Sequence, residues 1–286
     1  MRSKMNATRR NPTPYGDSKV RVKPIHRFLR YGVAFLLWPS FGTVAVAADE
    51  PVQAESLRKG DVVSGSLAYG RRTFALPNGL WRLVSTRERD TSNSGPSGSL
   101  MLEATFDQVI DKRLNSTFEL VATKYSKSFN WLDDPCKHKG DSYWIDDRKR
   151  SMNDQFCIRV GFRSNMVDGA QGAVFEAWAR ELLAKEVGYS REMPFVRVTR
   201  FTSYDFLQMT VAVDAEGVGV ARSKRHERQF NDWNPQTLSD HPERQAIYES
   251  LKAWSVKFAP AVNRAFDGDT SLSSDDYGVP VLPRRQ

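Results

Sequence analysis

The chain reads as an α+β domain, an antiparallel β-sheet with two amphipathic helices packed on it. Three observations predict this. Apolar and polar residues alternate from Leu100 to Asp107 and again from Thr117 to Thr123, the period of strands with one face in a core. Two later stretches instead space their apolar residues by three and four, the period of a helix packed along one stripe. Nowhere do strand and helix patterns alternate in the way that builds a parallel sheet.

Taken in order, residues 62–69 read as a first strand, and the Pro77-Asn78-Gly79 turn leads into a strand over Trp81–Thr86. Residues 90–98 are polar, Gly-rich loop. Leu100, Leu102, Ala104 and Phe106 then share one face, as do Phe118, Leu120 and Ala122, and the short polar join over 111–115 makes the pair a hairpin. An irregular middle over 129–155 precedes the β-branched strand Cys157–Phe162. Val174, Phe175, Trp178, Ala179, Leu182, Leu183 and Val187 form the first helical stripe, with Gly188 placed to end it. A second hairpin pairs Phe195–Phe201 with Leu207–Val213. The last helix takes Ser239 or Asp240 as its cap, Pro242 in its first turn, and Ile247, Leu251, Trp254 and Phe258 along its stripe. Pro260 should kink or break it before Val262, Ala265 and Phe266. Residues 1–48 thus read as an export signal or N-terminal anchor, 49–266 as one domain, and 267–286 as a mobile acidic, Ser-rich tail whose Val279–Leu282 end could dock.

The net charge of +8 is misleading as a whole-chain number. Residues 1–30 hold nine Lys or Arg and one Asp, and the other 256 residues balance at 33 basic and 33 acidic. A nucleic-acid partner therefore has no electrostatic footprint. The basic stretch is followed by eighteen uncharged residues, Tyr31–Ala48, and by small residues that offer a peptidase site after Ala47 or Ala48. This is the order of a secretion signal, so the expected location is the periplasm. The alternative is an uncleaved anchor that leaves the domain on the periplasmic side of the inner membrane, although Pro39 and Gly42 make poor spanning material.

The chain has two cysteines, Cys136 and Cys157, and an even count outside the cytoplasm is first read as a disulfide. A metal site using Cys136, His138 and Cys157 lacks the paired spacing that structural zinc sites repeat. No metal or cofactor motif is present: the phosphate loop, the dinucleotide fingerprint, the His-Glu-x-x-His pair and the Gly-x-Ser-x-Gly elbow are all missing. Ser56-Leu-Arg-Lys59 matches a nucleophile spacing without its partner motifs, and the acids of the middle loop are interleaved with Lys and Arg, which suits a wet surface better than calcium. His138, His226 and His241 have no catalytic partner nameable from sequence.

Two binding surfaces remain. One is the basic run Arg222, Lys224, Arg225 and Arg228 with Phe230 and Trp233, where charge beside aromatics suits anionic headgroups or envelope polymers. The other is the aromatic set Phe129, Trp131, Tyr143 and Trp144 near the cysteines, which could stack on a sugar or roof the core.

Leu76-Pro-Asn-Gly-Leu-Trp81-Arg-Leu-Val84, the hairpin after it, and Trp131 shortly before Cys136 and then Cys157 resemble a group of exported proteobacterial proteins of unknown function. The likeness spans residues 70–165 and implies an envelope protein with a disulfide; it carries no substrate, cofactor or catalytic residue. The expected function is non-enzymatic binding or interaction with an envelope component, with peripheral or anchored membrane contact. The competing expectation is an envelope hydrolase or transferase whose site is assembled from distant residues.

Overall fold

In a computed structural model of the chain the alternating stretches lie as long antiparallel strands. The structure describes residues 50–90, 100–125, 136, 142–148, 151, 153–163, 173–225, 230–278, 280 and 282. The architecture is α+β. Its main element is an eight-stranded antiparallel sheet in the order β2-β5-β6-β7-β11-β10-β9-β8, built from β2 (Val62–Val63), β5 (Trp81–Asp90), β6 (Leu100–Ile110), β7 (Arg113–Tyr125), β8 (Ser142–Asp147), β9 (Asp154–Arg163), β10 (Met193–Thr202) and β11 (Phe206–Val213). A small second sheet joins β1 (Val52–Gln53), β3 (Ser66–Tyr69) and β4 (Arg72–Ala75). The helices are α1 (Ala173–Ala184), α2 (Pro242–Phe266) and the single-turn α3 (Ser274–Tyr277).

Pairing follows the sequence pattern. Phe106 faces Phe118, Phe118 faces Val211, Leu120 faces Met209 and Val196 faces Val160, so the apolar parity of five strands falls on one side. The small sheet and α2 cover that side, and Phe106, Phe118, Leu120, Val196, Val198, Leu207 and Met209 are fully buried with Ile247, Leu251 and Phe258 of the helix. Each such side chain contributes roughly 1.5–3 kcal/mol by leaving water, and together they hold α2 across the sheet. Phe266, at the end of α2, lies between two guanidiniums, with Arg72 4.9 Å and Arg200 4.7 Å from its ring centre.

Several local expectations change. The first strand is split by Gly65 at φ +76° into β2, which pairs with β5, and β3, which joins the small sheet. The β6–β7 turn is tighter than the join over 111–115: Asp111 and Lys112 both take positive φ, the two-residue turn whose twist matches the strands. Gly188 does not end α1. Glu186 turns left-handed at φ +55° and Val187 N–H bonds back to Leu182, while Gly188 exchanges backbone hydrogen bonds with Lys112 and Leu114 of the first hairpin. Neither Ser239 nor Asp240 caps α2; His241 occupies that position without a side-chain cap, and Pro242 sits in the first turn as predicted. Pro260 lies inside a continuous α2, on the exposed side of the helix. The segment after α2 does not read as a loose tail over 267–278: Ser273 and Asp276 form a reciprocal capping box and Tyr277 is fully buried against Phe258.

The opposite side of the sheet is not simply solvated. Trp178 and Leu182 of α1 pack with Val84, Leu114, Met193, Phe195 and Ala212 at one end, and Met101, Phe201 and Phe206 form an apolar patch at the other. Asp107 is fully buried beneath α1 and accepts hydrogen bonds from Arg82 Nε (2.9 Å) and Trp178 Nε1 (2.7 Å). The exposed end of β5 carries charge at every position, Arg87-Glu88-Arg89-Asp90, and β2 pairs only with Trp81 and Arg82 at its other end. No helix among the described residues is long and apolar enough to cross a membrane.

Candidate functional site

Two strand ends and a turn enclose a cavity of about 340 Å³ beside α2. Its walls come from the Pro77–Trp81 turn, Gln108 of β6, Asn115 and Ser116 of β7, Val211 and Val213 of β11, Trp254 of α2, and the chain after α3 at Gly278, Pro280 and Leu282. Gln108 and Ser116 have the parity of Phe106 and Phe118, so they point inward where the hairpin runs past the end of the apolar core. A register shift between Gln108 and Val109 marks the irregularity that ends the regular pairing there.

The polar groups are oriented by one another. The Gln108 carbonyl accepts from Asn115 Nδ2 at 2.7 Å and from Ser116 Oγ at 3.3 Å, which leaves its amide nitrogen directed at Gly79. Gly79 has φ +123°, which calls for glycine, and a β-carbon there would push the Gln108 amide nitrogen aside. Both indole N–H groups are spent on the frame: Trp81 donates to the Pro77 carbonyl at 2.6 Å and Trp254 to the Tyr277 carbonyl at 2.8 Å. Asn78 donates to Asp275 at 3.1 Å, tying the turn to α3. Among the described residues the lining holds three amides, a hydroxyl and two indoles, and no ionisable side chain. Such a lining can accept a neutral group with hydrogen-bonding edges.

An adjoining open groove contains two acids: Asp111, exposed in the β6–β7 turn, and Asp214, which is already engaged by the guanidinium of Arg113 and the hydroxyl of Ser190. His241 is likewise occupied, with Nε2 3.5 Å from Asp232 and Nδ1 3.5 Å from Arg244 Nη1, and it joins α2 to the preceding loop. Lys59 pairs with Glu181 at 2.9 Å, while Ser56 bonds to the Gln53 carbonyl, so the Ser-x-x-Lys spacing brings no nucleophile to a base. Among the described residues no three His, Cys, Asp or Glu side chains converge as a metal site. Cys136 and Cys157 form a disulfide, with Cα atoms 5.7 Å apart.

The sequence-predicted binding residues part company. Trp233 is buried in the core, edge-on to Tyr248 and beneath Arg244, so it does not join the basic run. Arg222 pairs with Glu216 at 2.9 Å, whereas Lys224 and Arg225 are exposed and Phe230 is half exposed. In the aromatic set a bulge at Tyr143 turns two successive rings toward α2: Tyr143 stacks on Tyr248 at 4.7 Å, and Lys252 lies over Trp144 at 5.7 Å. Burial, and then the Glu249 carboxylate, push the Tyr143 hydroxyl up to about 12. These rings roof the core. Arg228, Trp131, Phe129, His138, His226, Ala47 and Ala48 lie outside the described residues.

The amide-lined cavity was missed by motif reading, although a signal for it exists: Gln108 and Ser116 are polar residues at core-facing positions of otherwise apolar rows. Comparison with family models, with curated proteins and with solved structures returns no match, so the site is read from its own geometry.

Proposed function

We propose that this is a non-catalytic protein of the bacterial cell envelope, exported by its N-terminal segment, that binds a neutral hydrogen-bonding ligand such as a saccharide unit in the Trp81–Trp254 cavity. The single observation that carries the reading is the lining itself, amides and indoles without one ionisable side chain among the described residues. A saccharide presents hydroxyls to amides and a C–H face to an indole, which suits that mixture. Export is supported by the charge-then-apolar leader, by the disulfide, and by the resemblance to exported proteobacterial proteins.

The test is a tryptophan-fluorescence titration of the full chain with a panel of neutral saccharides, beginning with an N-acetylglucosamine disaccharide. A saturable change that is lost in a folded Gln108→Leu variant supports the proposal, and a panel without any saturable response removes it. For export, N-terminal sequencing of envelope material is expected to begin at Ala48 or Asp49. An intact Met1 in the membrane fraction would instead mark the anchored form, and an intact Met1 in the cytosol would defeat the export reading.

A further inference from the structure

The α1 side of the sheet holds a second, independent arrangement. Between its two apolar ends runs a polar row in strict cross-strand register, Glu119 of β7, Thr210 of β11, Arg197 of β10 and Arg159 of β9. Arg163, four residues along β9, reaches back over Phe195 to grip both oxygens of Glu119. Arg197 also lies over Phe195, 5.3 Å from the ring centre. Arg163 and Arg197 both act on the one carboxylate, Glu119, and Arg163 holds it, while Arg159 lies next to Arg197 on the far side of the row.

Neither Arg159 nor Arg197 makes a hydrogen bond or ion pair with a carboxylate among the described residues; Arg159 Nε donates to Ser142 at 3.0 Å and Arg197 Nε to Thr210 at 3.1 Å. Arg163 has only 9% of its side chain exposed, and its buried Nε has no hydrogen-bond partner. Burying like charges together without counter-charge is costly, and a donor left unpaired adds to that cost. Burial, reinforced by Arg163 and Arg159 and only partly offset by Glu119, pulls the Arg197 guanidinium down to about 10, the direction expected of a cation short of negative charge. Burial alone lowers Arg159. The row is not sealed, since Glu119 and Arg197 both keep part of their surface in contact with solvent.

We infer that Arg159, Arg163 and Arg197 form a binding site for a doubly charged oxyanion, a phosphate or sulfate group, seated against the β9–β10–β11 face of the sheet. The two guanidiniums without a carboxylate present planar forks that match such oxygens, and two negative charges balance the excess. The stacked Phe195 keeps Arg163 and Arg197 in place before the anion arrives.

The experiment is equilibrium dialysis of the purified full chain in mild detergent against inorganic phosphate, with inorganic sulfate and a phosphate monoester as parallel arms and chloride at matched ionic strength as the background. The expected result is one saturable site with a millimolar or tighter Kd. Arg197→Lys and Arg159→Met, each verified as folded by circular dichroism, should weaken binding at least tenfold, and Glu119→Gln should strengthen it by removing a competing charge. Preference among the three arms identifies the source of the group. Absence of saturable phosphate or sulfate binding in the unaltered protein overturns the inference, as does binding that both folded arginine variants leave unchanged. The outcome is separable from the saccharide titration, which reads the other side of the sheet.

Discussion

Asp107 is the bolt between α1 and the sheet, and Asp107→Ala tests whether a buried ion pair holds the helix down. The carboxylate is fully buried, takes two hydrogen bonds from Arg82 and one from Trp178, and belongs to a pair whose arginine is 21% exposed. Removing one member of a buried pair costs about 3–5 kcal/mol, because the other charge stays behind. Arg82 keeps Glu181 and some contact with water, so the low end applies, about 3 kcal/mol by the same rule. For a domain of this length, where each kcal/mol moves Tm by about 2–4 °C, the melting point should fall by roughly 6–12 °C. Calorimetry at neutral pH measures it, and hydrogen exchange should place the earliest opening at α1. Asp107→Asn, which preserves shape and one acceptor, should lose about half as much under this scheme. A loss under about 1 kcal/mol for Asp107→Ala would mean that the surrounding apolar contacts alone seat the helix.

Three further outcomes are expected. Replacing both cysteines with serine should cost roughly 3 kcal/mol in urea melts through loss of a loop constraint spanning 21 residues, and thiol labelling of the unreduced protein should find no free thiol. Glu181 is held down to about 2, from its ordinary 4.5, by hydrogen bonds from Lys59 and then Lys185, with Arg82 adding to them. A depressed carboxylate contributes stability above pH 4.5 that is lost as pH falls toward 2, so Glu181→Gln should flatten the acid limb of the stability curve over that window; an unchanged limb would exclude the cluster. Gly79→Ala should destabilise by about 1–3 kcal/mol through backbone strain and, by shifting the Gln108 amide, weaken the proposed saccharide binding; a variant as stable as the parent would contradict the strain assigned to Gly79.

The fold was legible where burial is one-sided. Leu102, Ala104 and Phe106 are buried on one parity because a strand with one core face writes that choice into alternate residues. The α2 stripe was equally plain, since Ile247, Leu251, Trp254 and Phe258 all reach the core. Termini were harder. Gly188 looks like a helix stop, yet its backbone is needed by the first hairpin, a partner 74 residues away that local pattern does not encode. Trp233 looks like part of a basic surface because it follows Arg228 in sequence, but Tyr248 draws it inward by donating its hydroxyl to the Trp233 carbonyl at 2.9 Å. The arginine row was invisible for a related reason. Arg159, Arg197 and Glu119 come from three separate strands, and only the register of the assembled sheet lines them up.

One consequence follows from the charged end of β5. A sheet that stops in an open strand invites a neighbouring chain to continue the ladder, the first step of edge-to-edge aggregation. Here the last four residues of the uncovered border alternate in sign, and a visiting strand would have to match Arg, Glu, Arg and Asp in turn or forfeit their hydration. Such a border is a passive safeguard against edge pairing, and exchanging Arg87 and Arg89 for valine would turn it into an adhesive seam.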